Sequence, residues 1–293
     1  MIVLDQTWLR LHPLPQPEAD TDKNKRGRVL AAGGAETVPA ALLLTGEAAF
    51  RAGAGKVQLA TVESVQLGLG LRMPEAASFG LPSNDYGELA AEAGVVLAGM
   101  LERCDALVLG PGMGSDAESG EILGSLFSGA GQHVPMLLDA AVIAAMANFV
   151  TQAQTWNEAL VMTPHPGEMA ALMGCDETQA SARLAEAASD KFGATIVLKT
   201  SETWIATPGA ATLHYPGGGP GLATGGSGDV LAGLIAGLMA RGAEPMTAAG
   251  WGVWLHGCAG SMLAKRVGPL GFMASELLAE IPALMAAVSV PND

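Results

Sequence analysis

A chain of 293 residues with 49% hydrophobic side chains can bury one large core, and with aromatics at only 4% that core is built from Ala, Leu, Val and Met. Its formal net charge of −14 excludes the basic patches that a nucleic-acid or anionic-membrane surface needs. A nucleotide ligand is not excluded, because main-chain N–H groups and Mg²⁺ hold phosphates without surplus Lys or Arg.

Residues Met1–Arg26 are polar and carry Pro13, Pro15 and Pro17, which predicts a short helix followed by an extended arm. We read residues 1–22 as that arm and residues 23–293 as one domain. Asp5 and Arg10 break any apolar start, so no secretory signal is expected. Lys23–Arg28 is a basic run at the entry to the first strand, Arg28–Ala32. Val38–Arg51 reads as a helix packed by small residues, and Val57–Thr61 as the next strand. The same alternation recurs. Short apolar runs stand at Ala106–Gly110, Pro135–Asp139, Ala159–Thr163 and Thr195–Lys199, with helical stretches at Glu88–Arg103, Glu118–Ser128 and Gln179–Lys191. Continuous apolar strands alternating with helices predict a mostly parallel sheet covered on both faces. Trp204–Thr207 and Ala211–Tyr215, joined by a Pro-Gly turn, predict an antiparallel hairpin at one edge. Beyond Asp229 the chain reads as helices at Val230–Ala240, Met246–Lys265 and Ser275–Ala286. Pro245–Ala264 has no charge, but it is Gly-rich and carries His256, so it reads as a buried helix rather than a membrane span. The fold class is therefore α/β, a single three-layer domain. Cys104, Cys175 and Cys258 lie far apart without metal-ligand spacing, which fits a reducing cytoplasm.

Ligands of open α/β sheets bind at the carboxyl ends of the strands. The loops there are Gly33–Ala41, Gly110–Gly114 (GPGMG), Asp139–Ala141, Thr163–Glu168 (TPHPGE), Lys199–Thr203 (KTSET) and Gly217–Asp229. The last is the strongest signal. A glycine-dense turn runs into an apolar helix, whose start offers unpaired N–H groups and a partial positive charge to a phosphate. Asp229 at that start cannot bind the phosphate itself, so it caps the helix, holds a metal ion or takes a proton. His165, between two prolines, is fixed in a loop and reads as a ligand group, although Glu168 can equally favour the start of the following helix. Lys199 ends a strand where it can face an anion, and Asp139 is a cap or reaches Mg²⁺ through water. His256, mid-helix among apolar residues, reads as a core histidine. GPGMG lacks the spacing of a dinucleotide fingerprint, and Ala54–Val57 (AGKV) lacks the glycine and hydroxyl of a P-loop.

Together these segments resemble the ADP-dependent NAD(P)H-hydrate dehydratase family, which has a ribokinase-like fold. The carriers are GRVLAAGG at 27–34, RAGAGKV at 51–57, LVLGPGMG at 107–114, TPHPGEMAAL at 163–172, VLK at 197–199 and GLATGGSGDVLAG at 221–233. The resemblance implies a repair reaction in which the S form of hydrated NADH or NADPH is returned to the dinucleotide while ADP becomes AMP and phosphate. It implies Ala40, Gly112, Gly114, His165 and Asp229 for the hydrated dinucleotide, with Asp229 as catalytic base. Lys199, Thr200, Ser201, Glu202, Thr203, Gly226, Ser227 and Gly228 fall to the adenine nucleotide, with Mg²⁺ on its phosphates. A cytoplasmic homotetramer is implied as well. The chain departs from the family at Gly219–Gly221, where Asn-x-Gly is usual, at Ala141, where a second acid is frequent, and at Pro39–Ala40, where Gly-Ala is usual. The epimerase domain that precedes many members is not expected in the 22-residue arm. Two other readings use the same turn: an ATP-dependent kinase of a small alcohol such as a vitamin precursor, and a nucleotide-binding protein without turnover.

Overall fold

Side chains on a strand alternate between the two faces of a sheet. In Arg28–Ala32, Val29 and Ala31 enter one buried core while Leu30 and Ala32 enter a second. The same division holds along the central strands, which is why they read as unbroken apolar runs. A computed structural model describes residues 1–18, 20–114, 116–129, 134–156 and 159–289. Its strands are β1 (Ile2–Val3), β2 (Arg28–Ala32), β3 (Lys56–Val62), β4 (Ala77–Leu81), β5 (Ala106–Leu109), β6 (Met136–Leu138), β7 (Leu160–Met162), β8 (Thr195–Lys199), β9 (Thr203–Ala206) and β10 (Leu213–Tyr215). Its helices are α1 (Gln6–Leu11), α2 (Ala41–Arg51), α3 (Glu63–Arg72), α4 (Ala93–Met100), α5 (Asp116–Ser128), α6 (Ala141–Ala145), α7 (Val150–Gln154), α8 (Pro166–Met173), α9 (Ala182–Phe192), α10 (Ser227–Ala240), α11 (Pro245–Arg266) and α12 (Ala274–Ser289).

All the strands join one sheet in the order β1-β10-β9-β8-β7-β6-β5-β2-β3-β4. Pairing is parallel from β8 to β4, while β9 runs antiparallel to both its neighbours. Helices α1, α2, α10, α11 and α12 contribute to the core on one face, and α4 to α9 contribute to the core on the other. From β2 the chain builds outward through β3 and β4, then returns to the other side of β2 and builds through β5 to β8. The carboxyl ends of β2 and β5 therefore frame a topological switch point.

Helix α10 reaches its position through missing side chains. A Cβ on Gly233 would stand 2.2 Å from the Thr45 carbonyl oxygen of α2, and one on Gly237 would stand 2.8 Å from that of Ala49. The two helix backbones are in contact, and this fixes where α10 begins over the sheet.

The structure also differs from the sequence reading. The antiparallel hairpin β9–β10 is present, but the edge beyond it is taken by β1, parallel to β10. β4 lies at the opposite edge with only Leu81 buried, so no apolar run announces it. Helix α10 begins at Ser227, three residues before Val230, because the polar first turn belongs to the helix. The stretch 88–92 is loop rather than helix, with Leu89 bridging to Ser83. The N-terminal residues pack closely against the rest. Trp8 is buried against Gly250, and Trp251 Nε1 donates to the His12 carbonyl at 2.8 Å. Among the described residues no helix is long and apolar enough to cross a membrane.

Candidate active site

Three strand ends and one helix start converge. Asp139 follows β6 and is buried. Its Oδ1 accepts from Thr163 Oγ1, after β7, at 2.6 Å and from Lys199 Nζ, at the end of β8, at 2.9 Å. The next residue, Ala140, has φ 55°, the one non-glycine residue with positive φ among those described. Such a residue stores strain of about 1–3 kcal/mol, and here the strained turn aims Asp139 inward before the chain enters α6. Helix α10 sits directly above the ion pair. A Cβ on Gly228 would lie 3.6 Å from Lys199 Nζ and 3.7 Å from Asp139 Oδ2.

Lys199 is the only cation among three carboxylates. Burial opposes its charge, but Asp139, Glu168 and Asp229 outweigh burial and hold the ammonium above its usual range. Burial also raises two of the acids, Asp229 and Glu168. Asp229, the third residue of α10, is pushed up to about 6 by burial first and by Asp139 second, with Lys199 acting against both. Glu168 is raised by burial and by Asp139, against the pull of Lys199 and the His165 main chain.

His165 caps α8. Its Nδ1 accepts from the N–H groups of Gly167 (3.0 Å) and Glu168 (3.3 Å), and Glu168 Oε2 accepts from the His165 N–H at 2.8 Å. This is a capping box, so Glu168 does favour the helix start. Because Nδ1 accepts, the ring proton is on Nε2, which lies 3.3 Å from Glu168 Oε1. The ring is exposed and lines a cavity.

That cavity, of about 810 Å³, lies between the Lys199–Thr203 turn, the glycine loop 217–219 and the His256–Gly257 face of α11. Of the residues expected to hold a nucleotide, Lys199, Thr200, Ser201, Thr203, Ser227 and Gly228 are on its wall. Glu202 and Gly226 are not. The Glu202 carboxylate pairs with His214 Nε2 across the hairpin. Gly226 caps α10 with φ 86°, and a Cβ there would stand 2.4 Å from Leu44 of α2. Of the residues expected to hold a dinucleotide, His165 lines this same cavity, while Ala40, Gly112 and Gly114 fall into a second group at the switch point. Ala40 caps α2. Gly112, with φ 73°, has room for no Cβ between Ala41 (2.9 Å) and Gly34 (3.0 Å). Gly114 lies against Glu88. Asp229 stands with neither wall; its charge is tied to Asp139 and Lys199. The start of α10 touches both groups, through Gly228 on one side and Gly226 against α2 on the other.

His256 is half-buried with a polar partner, as a core histidine can be, but it also reaches the cavity. Its Nε2 lies 2.9 Å from Ser227 Oγ, and it lines the cavity. Its apolar neighbours on α11 hid this, since only the fold brings α11 to the start of α10. Among the described residues no three His, Cys, Asp or Glu side chains form a metal-binding group.

Comparisons with known proteins bear on the family and the fold. The family model described as NAD(P)H-hydrate dehydratase matches residues 29–283. The chain is 43% identical over 280 residues to the ADP-dependent (S)-NAD(P)H-hydrate dehydratase of Xanthomonas campestris pv. campestris, covering 94% of this chain and 93% of that one. It is 37% identical over 283 residues to a bifunctional NAD(P)H-hydrate repair enzyme of Moorella thermoacetica, covering 96% of this chain and 53% of that one. It thus spans about half the length of that bifunctional relative. The fold matches the crystal structure of a ribokinase-like superfamily protein from Enterococcus faecalis V583 with TM-score 0.85 and 30% identity, covering 99% and 97% of the two chains.

Proposed function

Since the chain belongs to the NAD(P)H-hydrate dehydratase family, we propose that it returns the S form of hydrated NADH and NADPH to the dinucleotide and converts ADP to AMP and phosphate. The observation that carries this reading is Asp229, a carboxyl raised to about 6 beside Lys199 and Asp139 at the start of α10. A base tuned toward neutrality next to a phosphate cradle suits phosphoryl transfer to an alcohol.

The hydroxyl on the hydrated ring is a poor leaving group. Asp229 accepts its proton as the hydroxyl oxygen bonds to the β-phosphorus of ADP and the bond to AMP breaks. The N–H of Gly228 at the helix start, together with Lys199 Nζ, would meet the charge that gathers on the transferred oxygens. The C–O bond to the phosphate then breaks as the ring nitrogen supplies an electron pair. Loss of a proton from the adjacent ring carbon restores the double bond. ADP lies in the cavity between the Lys199–Thr203 turn and the glycine loop. The hydrated ring would lie at the switch point beside Ala40, Gly112 and Gly114, with His165 reaching it from the wall of the ADP cavity.

Besides Asp229, the carboxylates around Lys199 are Asp139 and Glu168, and both already hold protein partners. Mg²⁺ brought in on the nucleotide phosphates would find these two acids beside it. The ion would neutralise phosphate charge in an acidic site. The family resemblance supports a homotetramer in the cytoplasm, and exposed Leu67 and Leu71 of α3 offer apolar surface for assembly.

The test supplies hydrated NADH, ADP and Mg²⁺. Reduced-nicotinamide absorbance should return in step with AMP. A stable phosphorylated alcohol formed with ATP would replace this reading with a kinase, and ADP binding without AMP release would leave a binding protein.

A further inference from the structure

His256 has no part in the chemistry above, yet it meets the nucleotide cradle. It projects from α11, while Ser227 opens α10, and the two side chains touch at 2.9 Å on the cavity wall. Ser227 is buried on that wall. Burial pushes the imidazole down to about 4, the Ser227 main chain opposes that, and Lys199 reinforces it. Near neutral pH the ring is therefore uncharged, with one nitrogen donating and the other accepting. Its Nε2 is the nitrogen that faces the Ser227 hydroxyl.

On the nucleotide reading of the cavity, we propose that His256 is a positioning residue for the phosphates of ADP. Its Nε2–H donates to Ser227 Oγ and fixes the hydroxyl in one orientation. The Ser227 O–H is then left to donate to a phosphate oxygen, a charge-assisted bond of the stronger kind. The residue thus works through Ser227 and touches no reacting atom. In a molecule with so few cations, a neutral donor chain from α11 adds phosphate affinity without adding charge.

The experiment is a double-mutant cycle on ADP affinity, measured by calorimetry without the dinucleotide. Ser227→Ala should weaken ADP by about tenfold, the usual effect of a lost hydrogen bond to a charged group. His256→Asn, whose amide is too short to reach Ser227, should weaken it similarly. The double variant should be no weaker than Ser227→Ala. His256→Gln, whose amide N–H does reach, should recover most of the affinity. In turnover, KM for the hydrated dinucleotide should stay unchanged. Equal losses from His256→Asn with and without the Ser227 hydroxyl would overturn the proposal, since His256 would then act by packing alone. Unchanged ADP affinity in folded His256→Asn, or wild-type protein that binds no ADP, would overturn it too. Coupled ADP binding without return of NADH would sink the dehydratase reading and leave this inference standing.

Discussion

In water an aspartate gives up its proton at about pH 4; buried beside Asp139, Asp229 keeps its proton to about pH 6. As a base it must be ionised, so kcat/KM should rise with pH through about 6 and level off above. Asp229→Asn should lose that limb and fall roughly 10²–10⁴-fold in turnover while still binding ADP, as rate profiles and calorimetry would show. Near-normal turnover would remove Asp229 from the base role. The same substitution bears on stability. A carboxyl with a raised folded pKa binds its proton more tightly folded than unfolded, so its stabilising contribution is present below pH 4 and lost as pH rises through 6. Asp229→Asn should therefore melt above wild type at pH 8, with the gap closing toward pH 4. At this scale the sequence was readable where chemistry follows chain order, as in His165 and its capping partner Glu168. It was silent where partners meet through the fold. Glu202 turns out to face His214 rather than the cavity, and His256 faces Ser227.

Helix α10 shows how packing sets the site. Its start lies over Lys199 only because Gly233 lets it approach the α2 backbone. Gly233→Ala would place a methyl group 2.2 Å from the Thr45 carbonyl oxygen, which backbone shifts alone can relieve. The expected cost is about 1–3 kcal/mol in urea unfolding, with weaker ADP binding as the helix start moves off the ion pair. ADP binding equal to wild type would show that the cradle tolerates the shift. Elements buried on both faces were legible: β2 and β8 match their apolar runs residue for residue. Elements with one wet face were not. β4 buries only Leu81, and α3 only Leu69, so neither leaves a continuous apolar pattern.

Across the whole molecule, alternation of strands and helices gave the layers, but not the order of the strands. Nothing local says that β5 returns to the far side of β2, and that return creates the switch point. The place of β1 was equally hidden, since a two-residue strand is defined by its partner β10 rather than by its own side chains. The lone ammonium among Asp139, Glu168 and Asp229 has one more outcome. Adding a polyphosphate beside Asp229 and Glu168, both already raised, tightens their hold on hydrogen ions, so loading the cleft with metal-free ADP is also a titration. Calorimetry in buffers of differing ionisation enthalpy should register net uptake of hydrogen ions near pH 6, shrinking when a divalent cation accompanies the ligand. The enzyme would then grip its co-substrate more firmly in slightly acidic surroundings, the very condition in which its base is half silenced.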